Sequence, residues 1–266
     1  MWRYVPQMLI DALVRQFEAS GALAPVTKKL DEGQDAGLAV PNSARPLIVS
    51  LLYARRPRLI CVVVPGEDAA SRFANTVAAY LGRDKVRRIS ERQDSPWSTA
   101  AADPAVIGER LRAIHALRCG TPCVVVSSAR ALLRCVPGGS VDIAAPLTFE
   151  VGRELGSGMA YEELPDQLVR RGYVRADRAD GPGTFAVHGD TVDIFPADST
   201  NPVRIEFFGD EVDGLRRIVA TTGQTIGDLS SLEVFPATEV PLERSAVRRA
   251  ARLLEPKTRN SKEAAR

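Results

Sequence analysis

Pro202-Val203-Arg204-Ile205-Glu206-Phe207-Phe208-Gly209-Asp210-Glu211 decides how the C-terminal half folds. Side chains alternate along a strand, so Val203, Ile205 and Phe207 share one face while Arg204, Glu206 and Phe208 share the other. The first set is a core face. The second is unusual. A solvent face has no need of an aromatic ring, whereas an arginine, a carboxylate and a phenyl in a row supply charge-assisted hydrogen bonds beside an apolar anchor, as binding hot spots do. The competing reading pairs Arg204 and Glu206 with cross-strand neighbours and covers Phe208 with a helix over 162–171. On the pattern alone the two stand level.

Working outward, Gly209-Asp210 joins Val203–Phe208 to Glu211–Ile218, and Gly189-Asp190 joins Thr184–Val187 to Thr191–Phe195. Both read as short-loop hairpins. In the earlier one, alternation buries Phe185 and Val187 and exposes Ala186 and His188. A helix over Glu162–Arg171 precedes them, which makes this part α+β with an antiparallel sheet.

Before Pro137-Gly138-Gly139 the texture differs. Pro6–Phe17 is apolar at helical spacing, and Lys28–Gly37 is charged, aperiodic and linker-like. A helix is expected over Ala44–Tyr53, then a strand at Leu59–Val64 buried on both faces. Next comes a helix over Asp68–Leu81 with Asp68 as its cap, followed by a short strand at Val86–Ile89. Pro104 opens a helix with the stripe Ile107, Leu111, Ile114 and Leu117, and Cys123–Val126 is a second buried strand. Helices alternating with apolar strands imply a parallel sheet covered on both faces. The expected fold class is therefore α/β, with an added α+β domain of antiparallel hairpins.

At 266 residues the chain has room for about two domains. Its 45% hydrophobic and 26% charged content is that of a folded globular protein. No run approaches the roughly 20 apolar residues of a membrane span, so no membrane partner is expected. Asp11, Arg15 and Glu18 interrupt the only segment that could pass for a signal peptide. Four sparse cysteines fit a reducing cytoplasm. Cys119 and Cys123 are spaced C-x3-C, and with only His115 and His188 in the chain a second ligand pair is missing. No metal and no cofactor are expected. From Val240 to Arg266 eight basic residues face three acidic ones. A solvated helix face followed by a frayed end is the preferred reading of this tail, and contact with nucleic acid the alternative.

A nucleotide-binding lobe would carry a glycine-rich loop ending in lysine and a hydroxyl residue just before the helix at Ala44. The segment there is Ala39-Val40-Pro41-Asn42-Ser43-Ala44-Arg45-Pro46. Ala39, Asn42 and Ala44 stand where glycines would let the backbone wrap phosphates. Arg45 replaces the lysine, and Pro46 the hydroxyl that would hold magnesium. ATP hydrolysis is not expected. There is also no G-x-S-x-G elbow, no H-E-x-x-H and no acidic helicase box after a hydrophobic strand. His115, between Ile114 and Ala116, reads as a surface or half-buried helix residue. Asp190, Asp193, Asp210, Glu211 and Asp213 read as solvated turn and strand-end carboxylates.

Two blocks carry a resemblance. Gly183-Thr184-Phe185-Ala186-Val187-His188-Gly189-Asp190-Thr191-Val192-Asp193-Ile194-Phe195-Pro196 and Val203–Asp213 resemble the signature shared by the excision-repair helicase subunit UvrB and the transcription-repair coupling factors. Upstream, Gln93-Asp94-Ser95-Pro96-Trp97, Ile107-Gly108-Glu109-Arg110-Leu111 and Val124–Leu133 follow the coupling-factor order. The ruined phosphate loop points the same way, because UvrB keeps a working one. The resemblance runs over roughly residues 38–240.

It implies a degenerate P-loop helicase-like lobe over 38–141, after an N-terminal helix and linker over 1–37. An inserted UvrA-binding domain over 142–237 follows, then the start of a return segment and the basic tail over 238–266. It further implies a non-catalytic adaptor that recruits UvrA, with contacts at Arg175, His188, Arg204, Glu206 and Phe208. His188 departs from the family's arginine, and an imidazole lacks the guanidinium fork. DNA would be reached only through UvrA or the tail. RNA polymerase would be reached only through regions of a full-length coupling factor, which also carries a translocase, so a fragment or shortened relative is expected. The alternatives are a UvrB-type DNA-binding or weak NTPase fragment, and a module that masks the UvrA site.

Overall fold

A computed structural model describes residues 4–92, 102–133, 144–156 and 159–240, together with 248 and 251–252. The chain divides into two compact units, Met1–Gln93 with Arg112–Cys135 and Asp94–Leu111 with Val136–Arg266. The architecture is mixed α/β, with a three-stranded parallel sheet, a six-stranded sheet that is antiparallel but for one edge pair, and a two-stranded antiparallel pair. The Gln93–Trp97 block, the Pro137-Gly138-Gly139 junction and nearly all of the basic tail lie outside the described residues.

The first unit holds α1 (Tyr4–Ser20), α2 (Ala24–Asp31), α3 (Arg45–Arg55), β1 (Ile60–Val64), α4 (Glu67–Leu81), β2 (Val86–Ile89), the second half of α5 (Pro104–Cys119), β3 (Val124–Ser128) and α6 (Ala129–Leu132). The strands are ordered β1-β3-β2, all parallel. Ile10, Leu51, Ala70, Ala74 and Val77 pack with Val124 and Val126 on one face of the sheet. On the other, Ala113 and Ala116 of α5 pack with Ile89, Val125 and Ala131.

Three expectations change here. α2 runs through Lys28–Asp31, so the first part of the expected linker is helical; Pro25 in its opening turn and lysines in its last turn suit the helix ends. The strand at 60–64 is not buried on both faces, since Cys61 is exposed and Val63 is 56% exposed. β1 is an edge strand, and the α5 cluster covers β2 and β3 but takes in no β1 residue. Asp68 does not cap α4. Gly66 is the N-cap residue, and Glu67 and Asp68 lie in the first turn, where carboxylates complement the helix dipole.

The second unit is built on a six-stranded sheet; β4 (Leu147–Glu150) and α7 (Leu164–Arg170) precede it in the chain, and β11 (Ser231–Val234) follows it and pairs with β4. Its strands are β5 (Val174–Arg175), β6 (Thr184–His188), β7 (Thr191–Phe195), β8 (Val203–Phe208), β9 (Glu211–Ile218) and β10 (Thr225–Asp228), ordered β10-β9-β8-β7-β6-β5. β6 to β10 are antiparallel neighbours, and β5 joins β6 in parallel. Gly189 and Gly209 take positive φ of 59° and 61° at the two tight turns, as such hairpins require. Leu164 and Leu168 of α7 pack with Phe185, Ile194, Val203, Ile205 and Phe207 on one sheet face. The expected helix begins later than Glu162, with a 3-10 turn over Tyr161–Glu163 and Pro165 in the first turn of α7.

The Ile107-Gly108-Glu109-Arg110-Leu111 block is a docking surface within this unit. A Cβ on Gly108 would come within 2.7 Å of the Ala197 Cβ, and one on Gly183 within 2.9 Å of the Pro104 Cβ. Both positions need the bare backbone. Beside them the Arg110 Nε donates to the Glu239 Oε1 at 2.7 Å, and both residues are buried. The Tyr173 hydroxyl donates to the Phe235 carbonyl at 2.7 Å and accepts from the Ala197 N–H at 3.1 Å, and burial pushes its phenol well above the usual range.

Candidate protein-interaction surface

The face of the six-stranded sheet opposite the core is where the sequence places Arg204, Glu206 and Phe208. Val203, Ile205 and Phe207 are buried, as the alternation predicts, and Phe208 is 83% exposed. α7 does not cover Phe208, because its apolar stripe is spent on the other face through Leu164 and Leu168.

Arg204 and Glu206 do pair across strands. Asp193 lies opposite Arg204 in β7, and the guanidinium makes a fork, Nε to Oδ1 and Nη2 to Oδ2, both at 2.8 Å. This hydrogen bonding raises the Arg204 pKa and fixes the plane of the group. Glu206 accepts from the Arg216 Nη1 at 2.9 Å, with Asp228 beyond at 3.9 Å from the Arg216 Nε. Gly214 lies opposite Glu206, and a Cβ there would stand 3.1 Å from the Glu206 Oε2. The missing side chain leaves Glu206 room to lie along the sheet. β9 then inserts Asp213 opposite the Glu206–Phe207 step, a bulge that precedes the pairing of Phe208 with Glu211.

Two sequence expectations fail on this face. Asp193 is a buried carboxylate spent on Arg204, where a solvated one was expected. Ala186 is buried, although alternation turns it outward. It lies opposite Asp193, so its small side chain sits in the row that the Arg204–Asp193 pair covers. The other turn carboxylates are exposed, and Asp210 among them anchors a neighbouring segment, its Oδ1 accepting from the Tyr161 N–H at 2.7 Å.

His188 is exposed at the end of β6, in register with Thr191 and, one strand further, Glu206. It therefore shares the face. Arg175 does not. It is exposed on the edge strand β5 in register with Phe185, whose side chain belongs to the core face, and it lies within electrostatic reach of Tyr161. The structure thus brings His188, Arg204, Glu206 and Phe208 together and leaves Arg175 at the rim, while Val174 (in register with Thr184) adds an exposed apolar side chain to the outer face.

Tyr161 is a residue that the sequence pattern did not single out. Its hydroxyl donates to the Gly189 carbonyl at 2.5 Å and its ring packs on Phe207 at 4.9 Å between centroids. With its backbone bond to Asp210, it ties together the turns of both hairpins. No spacing rule reveals such a contact, because its partners are 28 and 49 residues away.

In the first unit, the segment expected to be a spoiled phosphate loop runs over Ala39–Pro46. Asn42–Ala44 form a 3-10 turn and α3 starts at Arg45, with Pro46 buried and Asn42, Ser43 and Arg45 exposed. His115 is half-buried, with its Nε2 3.6 Å from the Cys119 Sγ. Among the described residues no group of three or more His, Cys, Asp or Glu could hold a metal ion, and no helix is long and apolar enough to cross a membrane.

Residues 149–240 match the UvrB interaction domain family. The chain is 32% identical over 229 residues to the transcription-repair-coupling factor of Myxococcus xanthus, a match covering 82% of this chain and 19% of that protein. It is 29% identical over 205 residues to the coupling factor of Bacillus subtilis, covering 77% and 17%. To the UvrABC system protein B of Thermotoga petrophila it is 25% identical over 257 residues, covering 90% and 38%. These homologues are coupling factors and UvrB proteins, and the chain spans less than a fifth of the two coupling factors and about two fifths of the Thermotoga protein.

Proposed function

We propose that this chain is a non-catalytic adaptor in transcription-coupled nucleotide excision repair, and that it recruits UvrA through the outer face of its six-stranded sheet. The observation that carries this reading is Phe208, an almost wholly exposed phenyl beside a fixed arginine and glutamate, within the segment that matches the UvrB interaction domain. An aromatic anchor flanked by oriented charges is the composition of a binding hot spot. Of the residues assigned to the contact, Arg204, Glu206, Phe208 and His188 form its centre and Arg175 its rim.

The first lobe, over 38–141, is silent in this reading. A loop with alanine and asparagine in place of glycine, ending in Arg45-Pro46, lacks the backbone freedom and magnesium ligand of a phosphate cradle. The working domain runs over 142–237. The test is capture of UvrA by the full chain and by its Arg204→Ala and Phe208→Ala variants. Capture by the parent, and loss on either substitution with the melting temperature preserved, is the expected result. Undiminished capture by both variants overturns the assignment.

A further inference from the structure

We infer that Asp193 is the positioning residue of this surface: it holds the Arg204 guanidinium in a single orientation before any partner arrives. The inference rests on the reading of this face as a partner-binding one and adds a residue to it.

Both carboxylate oxygens of Asp193 are engaged by Arg204, at 2.8 Å each. The two side chains sit at different depths, with 9% of the Asp193 side chain exposed and 34% of the Arg204 side chain. A partner can therefore touch Arg204 and scarcely reach Asp193. Ala186 on the neighbouring strand is small enough to leave the carboxylate its buried place. A guanidinium has five N–H donors. The fork uses one on Nε and one on Nη2, so the Nη1 edge and the second Nη2 hydrogen remain for a partner, and an acceptor oxygen, carboxylate or carbonyl, is the chemistry that fits them. Glu206, held by Arg216 through Oε1, keeps its Oε2 for a donor. An arginine locked beforehand spares the complex the cost of ordering a long side chain, which corresponds to about 3- to 10-fold in affinity.

The experiment is a double-mutant cycle on the full chain, with UvrA affinity read by titration and folding read by thermal melting. Asp193→Asn keeps the shape and removes the charge. It should weaken binding about 3- to 10-fold and should weaken it no further once Arg204→Ala is present. In parallel, the Arg204 Nε–H should exchange slowly in the ¹⁵N spectrum of the parent and rapidly in Asp193→Asn. Arg204→Lys preserves the cation without the fork and covers the case of an Asp193→Asn chain that does not fold: it should bind as poorly as Arg204→Ala. Binding that depends on Arg204 yet ignores Asp193→Asn, an Asp193 effect that persists without Arg204, or a lysine that binds like the parent overturns the inference alone. Equal binding by the parent and Arg204→Ala removes the surface reading and this inference with it.

Discussion

Truncating Phe207 and Phe208 singly to alanine separates core from surface on adjacent residues. Phe207 is 6% exposed, lies in the cluster with Ile205 and Leu215, and meets the Tyr161 ring at 4.9 Å. Removing it deletes a buried phenyl and leaves a cavity, a loss of about 3–5 kcal/mol. For a unit of this size, with about 2–4 °C per kcal/mol, the second unit should melt about 6–20 °C lower. Phe208 has little burial to lose, so its truncation should move stability by no more than about 0.5 kcal/mol. As an interface anchor it should instead weaken UvrA binding by about 2 kcal/mol or more, roughly 30-fold. Thermal melts and a UvrA titration on the same preparations read both axes. A Phe208→Ala variant that melts as early as Phe207→Ala refutes the facial assignment. One that both melts and binds like the parent refutes the anchor.

Arg110→Met leaves Glu239 buried beside an apolar side chain and should cost about 3–5 kcal/mol, much of it recovered in the Arg110→Met, Glu239→Leu double variant; chemical denaturation reads both. Isothermal titration with Mg-ATP should give no heat of binding in the micromolar range, and micromolar binding would show that Ala39–Pro46 still cradles phosphate. His188→Arg should tighten UvrA binding, by about 3- to 10-fold, by supplying a guanidinium fork, and unchanged or weaker binding in the titration counts against His188 as a contact. Because burial raises the Tyr173 phenol, the folded chain keeps that proton at a pH where the unfolded chain has lost it. Its contribution is whole below about pH 10 and falls above it by about 1.4 kcal/mol per pH unit. Tyr173→Phe should remove that part of the alkaline loss in melts between about pH 9 and 11.5, and an unchanged slope would refute the burial argument.

The parallel and antiparallel sheets were legible because their signals are local: the run Leu59–Val64, the two Gly-Asp turns, and the alternation through Val203–Phe208. The readings that failed depend on lateral neighbours. Nothing in the run Leu59–Val64 tells that β1 lies at a sheet edge beyond the reach of α5, which exposes Cys61 and Val63. Period 2 correctly assigns Ala186 a face, but the row above it covers that face, so the residue is buried. Lys28–Asp31 read as linker because it is charged, yet an exposed short helix needs few apolar residues. The Arg110–Glu239 pair joins residues 129 apart, and no periodicity links them.

The sequence posed Arg204 and Glu206 as either paired with strand neighbours or free for a partner, and the geometry shows why that choice was too narrow. An arginine forked by a carboxylate still has donors to give, and a glutamate bonded through one oxygen still has the other. Cross-strand pairing and recognition compete only for side chains with a single valence. Where the valence is multiple, the pairing removes rotamer freedom without exhausting the hydrogen-bonding capacity. The surface row Asp193–Arg204 and Glu206–Arg216–Asp228 contains three carboxylates and two guanidinium groups. Its cations are therefore already balanced within the sheet, and what it offers a partner is directional hydrogen bonding more than net charge. Recognition built this way should respond to added salt less steeply than a patch of unpaired arginines would, and Phe208 is left to supply the apolar burial.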